Sequence, residues 1–351
     1  MRMSRIRIKD VARLANVSTG TVDRVIHRRE GVSEATRRKV QSILDEYNFE
    51  PDPHASSLAM KREMRLAVVM PGTVNDHVFW DLPRSGVESA LKELSALKVK
   101  TEILSFDQFD REAFPGEMEK LDLEKTDGVL FAPVFLEESL AFIRACGIRE
   151  IPVVLINSLL EDPAVSSFVG QDAHQSGYLG AKLINYGLEY RKDVLVINMS
   201  ARKDHHSHLI ARERGFRKYF EDHGGNVENI HTLDVNGQDD QVLRSRLDEV
   251  FEAFRIGGIF VTNSRVYKVA EYLAGKGAMK IRLVGYDLLP GSVEYLQRDY
   301  IDFLISQRPE LQAYTGLITL FNLVAFDRVP EARQMMPIDI ISRENLKYYK
   351  H

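Results

Sequence analysis

Between Met64 and Asp287 nine strand-like apolar runs alternate with helical ones, and this alternation restricts the fold more than any other feature of the sequence. The runs are RLAVVMPG, VKTEILSF, DGVLFAP, IPVVLIN, SSFVGQD, DVLVINMS, NIHTLDV, GGIFVTN and IRLVGYD. Between them lie helical stretches such as SGVESALKELSA, QSGYLGAKLINYGL and RVYKVAEYLAGKG. A strand that is apolar throughout is covered on both faces, and a helix between two strands returns the chain so that they pair in parallel. Nine strands are many for one sheet, so the pattern predicts an α/β body of two lobes, each a parallel sheet flanked by helices. Ligands of such folds sit in a crevice beyond the carboxyl ends of the strands.

The first sixty or so residues follow a different period. IKDVARLANVSTGTVDRVIHRREGVSEATRRKVQSILDEYNF reads as three short helices. The first places Val11, Leu14 and Ala15 on one face and ends at Asn16, which tolerates the left-handed conformation of a tight turn. Ser18 caps the second helix, Gly31 interrupts the chain, and Ser33 caps the third, which carries Val40, Ile43, Leu44 and Tyr47 at helical spacing. Helix, four-residue turn, helix is the helix-turn-helix pattern. At about 100° per residue, Val22, Val25 and Ile26 form the buried face of the second helix. The exposed face is centred on Gly20, Arg24 and His27, with Thr19 and Asp23 on one flank and Thr21 and Arg28 on the other. A solvated face of a small bundle would carry similar residues. Charge favours DNA: residues 1–62 hold 13 Lys and Arg against 8 Asp and Glu, a balance of +5, so the rest of a chain of net charge -4 carries -9. After the third helix, Pro51 and Pro53 start a new element, with Asp52 as its cap; HASSLAMK is weakly helical and too short to be stable alone.

Other classes are disfavoured. Cys146 is the single cysteine, so no intrachain disulfide forms and nothing points to an oxidising compartment. MRMSRIRIKD lacks a signal-peptide core, and runs such as LAVVM and PVVLI are far short of a membrane span, so a cytoplasmic protein with no membrane partner is expected. His205, His206 and His208 do not have a zinc spacing, and no metal is expected. There is no GxGxxG after a strand, no P-loop, no GxSxG elbow and no HExxH, so an enzyme is not expected.

The strand ends of the body are polar. Asn75 and Asp76 follow the first strand, with Phe79 and Trp80 soon after. Asn157 ends the fourth run and Asp172 the fifth; Asn263 follows IFVT, Asp287 follows LVGY and Gln307 follows IDFLIS. Arg212 lies in IARERGF, after a His-rich loop from which His206 or His208 can touch a ligand. Any one Asn or Asp is an ordinary cap or turn residue. At successive strand ends the set can bind many hydroxyls, while a flat ring covers the apolar face of a sugar.

In IKDVARLANVSTGTVDRVI, VSEATRRKV and YNFEPDPHASSLA the chain resembles the lactose/galactose repressor (LacI/GalR) family of bacterial transcription regulators, and the resemblance continues over the body. It implies that the segment after the three helices is a hinge helix that folds on the operator, with Leu58 wedged into the minor groove and Ala55 as its small residue. It makes Arg24 the arginine that reaches base edges, and Thr19 and Gly20 the variable reading positions. Asn16 stands where a glycine is usual, and Asp23 where a phosphate-touching serine is usual. The body is similar to ribose- and galactose-type sugar receptors (a periplasmic-binding-protein-like fold). Arg212 then matches an RxxGF pattern, Asn263 a strand-end asparagine, Asp287 a G-[YF]-D motif, and Gln307 a late glutamine. Phe79 and Trp80 match an aromatic pair that stacks on the sugar. Asn157 replaces a common aspartate, and either Asn75 or Asp76 faces the ligand.

The sequence therefore predicts an all-α helix-turn-helix head over 1–50, a hinge over 51–63 and a two-lobed α/β body over 64–351. The first lobe is expected at about 64–159 and 291–307, the second at about 160–290 and 308–351. The expected function is that of a homodimeric regulator, a repressor by default, of carbohydrate-utilisation genes. Its partners are a palindromic double-stranded DNA operator and a small-molecule effector, a sugar or sugar derivative, with no cofactor. The alternatives are a cytoplasmic sugar-binding receptor and a sugar-active enzyme on the same body.

Overall fold

In the computed structural model residues 6, 8–26, 31–47, 63–73, 78–188, 192–200, 207–225, 227–235, 239–277 and 281–349 are described. The nine apolar runs all form strands, and three short strands join them in two six-stranded sheets. The first sheet holds β1 (Met64–Pro71), β2 (Val99–Phe106), β3 (Gly128–Phe131), β4 (Val153–Ile156), β5 (Val165–Gly170) and β11 (Arg333–Met335). Their order is β11-β5-β4-β3-β1-β2, and every pair is parallel. The second holds β6 (Asp193–Met199), β7 (Ile230–Val235), β8 (Ile256–Val261), β9 (Arg282–Tyr286), β10 (Phe303–Ser306) and β12 (Asp339–Ile341). Here the order is β12-β10-β9-β8-β6-β7, with only β10 and β12 antiparallel. The central strands β3, β4 and β8 are buried throughout, as their unbroken apolar runs require. The edge strand β2 is exposed or half-buried at every residue but Phe106.

The lobes divide elsewhere than the sequence suggests. β5 pairs with β4 and belongs to the first sheet, so the first lobe extends to Gly170. The helix Pro290–Gln297 is the crossover from β9 to β10, which pair with Leu304 opposite Gly285, so this segment belongs to the second lobe. The helix Pro309–Phe326 and β11 then return to the first. The reason is that a βαβ unit stays within one sheet until the chain leaves by a short crossing segment. Those crossings lie at 171–172, 307–308 and 336–338. Gln171 ties them together: its Nε2 donates to the Ser306 carbonyl at 3.0 Å and to the Pro337 carbonyl at 2.9 Å.

Two glycines bring the helices Ala173–Asn185 and Ser207–Asp222 into backbone contact. A Cβ on Gly177 would lie 1.9 Å from the Arg212 carbonyl oxygen, and one on Gly215 would lie 1.9 Å from the His174 carbonyl oxygen. Gly86 serves the first lobe in the same way, against the Glu310 carbonyl at 2.0 Å.

The head comprises the helices Ile8–Ala15, Thr19–Ile26 and Glu34–Glu46. Val11, Ala12, Ala15, Val22, Val25, Val40 and Leu44 make its core. Leu14, expected inside, is 45% exposed. The buried stripe runs through 11, 12 and 15, with the half-buried Ile8 above it, and residue 14 falls to its side at helical spacing. Tyr47 is exposed as well, and Ile26 and Ile43 are only partly covered. Among the described residues no helix is long and apolar enough to cross a membrane.

Candidate functional site

The second helix of the head presents its polar face as its caps dictate. Asn16 is left-handed at φ 53° and closes the turn. Ser18 Oγ then accepts the Thr21 N–H at 3.0 Å and holds the helix start. Val22 and Val25 point inward, Thr21 is half-buried, and Ser18, Thr19, Gly20 and Arg24 are exposed. A Cβ on Gly20 would meet nothing nearer than Ser18 Oγ at 3.7 Å. The Asp23 side chain and the residues His27, Arg28, Ala55 and Leu58 lie outside the described residues. Gly20→Ala should therefore stabilise the head by roughly 0.5 kcal/mol, since alanine loses less backbone freedom in a helix. Denaturant unfolding followed by circular dichroism checks this, and a loss of stability would contradict the open placement.

Between the lobes lies a cleft of about 770 Å³ of free space, part of it open to solvent. From the first lobe come Phe79 and Trp80, edge to face with centroids 5.1 Å apart. Trp80 Nε1 donates to Gln108 Oε1 at 3.2 Å, which fixes the indole. Asn157 follows β4 in a left-handed conformation, φ 68°, and its N–H donates to Gln312 Oε1 at 3.0 Å. Gln312 Nε2 donates in turn to the Gln307 carbonyl at 2.8 Å, so one side chain positions strand ends of both lobes.

The second lobe supplies Arg212, 2% exposed. Its Nη1 donates to the Thr262 carbonyl at 2.6 Å and its Nη2 to Gln307 Oε1. The guanidinium carbon lies 3.7 Å from the centroid of the Tyr286 ring, a stacking contact. Nε is buried without a hydrogen-bond partner among the described residues. Gln307 Nε2 and Ser264 Oγ both donate to Asp287 Oδ2, at 2.7 and 2.6 Å. Arg212, Gln307, Asp287 and Ser264 thus form one buried chain in which an amide separates cation from carboxylate. Burial pushes the Asp287 carboxyl above its ordinary value, while the Ser264 bond, the Arg212 charge and Gln307 oppose that rise. Asn263 is anchored by Nδ2 to the Met199 carbonyl at 2.7 Å. Across the mouth of the cleft Ser158 Oγ and His208 Nδ1 share a hydrogen bond of 2.8 Å, and the Arg265 guanidinium lies 5.2 Å from the Phe109 ring centroid.

Of the residues singled out in the sequence, Phe79, Trp80, Asn157, His208, Arg212, Asn263 and Gln307 line this cleft together. Two do not. Asp287 is fully buried behind Gln307 and Ser264, so it positions side chains that line the cleft. Asp172 is exposed and caps the helix Ala173–Asn185, accepting the Gln175 N–H at 2.8 Å. Its carboxylate serves the helix start, as Asp does at many such turns. Asn75 and Asp76 lie outside the described residues, as do His205 and His206. Among the described residues no three His, Cys, Asp or Glu side chains gather as metal ligands. Sequence reasoning missed Gln108, Ser158 and Arg265. Ser158 and Arg265 directly follow strand ends already selected, one and two residues after Asn157 and Asn263. Gln108 lies two residues past β2, whose end drew no attention.

Residues 66–327 match the family profile described as periplasmic binding protein domain, and residues 7–52 match that of bacterial regulatory proteins, lacI family. The chain belongs to the periplasmic binding protein domain family, whose profile spans most of its length, and its head carries the match to bacterial regulatory proteins of the lacI family. The HTH-type transcriptional regulator DegA of Bacillus subtilis is 30% identical over 177 residues, 50% of each chain. The HTH-type transcriptional repressor PurR of Photobacterium profundum is 25% identical over 287 residues, 80% of this chain and 81% of that one. Several curated relatives are matched over only about half of their length. The crystal structure of a candidate LacI transcriptional regulator from Bacteroides fragilis superposes with a TM-score of 0.75 at 28% identity, covering 82% of this chain and 100% of that chain.

Proposed function

We propose that the chain is a sequence-specific DNA-binding regulator, a repressor of carbohydrate-utilisation genes, whose operator affinity is set by a small sugar or sugar derivative in the cleft. The observation that carries this is one chain holding both a helix-turn-helix head with an exposed polar helix face and a cleft lined from two lobes. The names of the relatives, transcriptional regulators and repressors, support it.

Two copies of the chain in the cytoplasm bind a palindromic operator, since the helix of each head reads one half-site. Thr19, Gly20 and Arg24 meet the major groove, and Arg is best suited to guanine O6 and N7. Ser18, Thr21, Asp23, His27 and Arg28 flank them, and the 51–63 segment with Ala55 and Leu58 enters the minor groove. A ligand that bridges the cleft favours one arrangement of the lobes over another and so alters how the two heads are presented. A hundredfold change in operator affinity requires about 2.7 kcal/mol of differential ligand binding between the two arrangements.

Selection of duplexes from a random pool by the full chain tests the DNA half of this function. It should yield a palindromic sequence. Arg24→Ala should then lose roughly 1–3 kcal/mol on that sequence and tolerate base changes at one position of each half-site. Equal affinity and equal selectivity for the two proteins would remove Arg24 from the groove.

A further inference from the structure

Arg265 lines the cleft at the cap position of the helix Val266–Lys276 and is only 9% exposed. Its backbone N–H donates to Asn263 Oδ1 at 3.2 Å, and its guanidinium rests near the Phe109 ring. Nη1 is buried and has no hydrogen-bond partner among the described residues. A guanidinium keeps its charge and offers five donors, so a buried one without an acceptor is costly. Burial pushes Arg265 down to about 10, against the weaker pull of Tyr267 and Asp240. Asp240 is itself hydrogen-bonded to Lys268. Arg212 differs in that the Thr262 carbonyl and Gln307 take its donors, and the Asp287 carboxylate stands behind Gln307. Among the described residues no aspartate or glutamate lines the cleft. The described lining of the cleft therefore carries a surplus positive charge at Arg265, to which the start of the helix Val266–Lys276 adds.

We propose that the effector is an acidic sugar, a monosaccharide-sized polyol bearing a carboxylate or phosphate whose oxyanion is bound by Arg265, with its hydroxyls on Asn157, Arg212, Asn263 and Gln307. A carboxylate or phosphate matches the guanidinium fork with two parallel bonds and supplies the acceptor that Nη1 lacks. The apolar wall of Phe79, Trp80 and Phe109 then covers the ring. This identification of the effector class rests on the proposed role of the cleft in regulation.

Calorimetric titration of the full chain tests it with three matched sets: D-glucose, D-galactose and D-ribose; D-glucuronate and D-galacturonate; D-glucose 6-phosphate and D-ribose 5-phosphate. At least one acidic member should bind about tenfold or more tightly than its neutral counterpart. Arg265→Gln should erase that preference, and Arg265→Lys should keep part of it. A response confined to the uronates or to the phosphates identifies the oxyanion. Neutral sugars binding as well as acidic ones, or no member of any set binding, would overturn the proposal, and the comparison on the unaltered chain decides even if Arg265→Gln fails to fold. Operator affinity measured on the same samples separates the two claims. A neutral sugar that shifts it leaves the regulator standing without the acidic effector. An acidic sugar held by Arg265 that never shifts it leaves the site standing without the regulation.

Discussion

Arg212→Ala should leave a chain that binds DNA normally but no longer changes its DNA affinity when the effector is added. Arg212 joins the Thr262 carbonyl, the Gln307 side chain and the Tyr286 ring, and through Gln307 it faces Asp287. Truncation removes a proposed ligand donor and leaves a buried carboxylate without its cation. The body should lose roughly 3 kcal/mol of stability, the scale for breaking a buried charge arrangement by deleting one side. The head has its own core, and its helix face does not depend on this chain of bonds. Operator titration with and without effector, beside denaturant unfolding, checks both parts. A variant that still responds with unchanged effector affinity would exclude Arg212 from the site.

The second large effect is expected at a residue that touches no ligand. Gly177→Ala places a Cβ 1.9 Å from the Arg212 carbonyl oxygen, so the helices Ala173–Asn185 and Ser207–Asp222 must separate. Overpacking of this kind costs roughly 1–3 kcal/mol. Because the crossing point is the backbone of Arg212 itself, effector affinity should fall together with stability. Gly86→Ala is the control, for its Cβ would strike the Glu310 carbonyl at 2.0 Å, away from Arg212. It should destabilise the first lobe comparably and weaken the effector less. If the two variants lose effector affinity equally, the crossing does not position Arg212.

The layered architecture was legible because nine apolar runs need two covered sheets, and all nine are strands. Which sheet each strand joins was not legible. SSFVGQD and IDFLIS look alike as apolar runs, yet β5 and β10 lie in different sheets, because pairing partners are set by where the chain crosses. In the head, the caps at Ser18 and Ser33 and the left-handed Asn16 are as read, since they are local devices. Leu14 was misread because a three-residue step alone does not distinguish the centre of a helical stripe from its margin. In the cleft, strand-end position found the lining residues Asn157, Asn263 and Gln307 but could not tell a lining aspartate from a capping or a supporting one. Asp172 and Asp287 have the same sequence signal, a carboxylate after an apolar strand, and only packing separates them. Arg265 carries no such signal, and its significance comes from a buried Nη1 without an acceptor among the described residues.

The central claim is that DNA binding by the head and ligand binding by the cleft are coupled in one chain. Fluorescence anisotropy titration of the selected operator duplex with the full chain, with and without a saturating cleft ligand, tests it most directly. The two curves should differ in midpoint by tenfold or more, about 1.4 kcal/mol of coupling, and Arg212→Ala should collapse them onto one. Superimposable curves for the unaltered chain, with the ligand shown to be bound, would contradict the account.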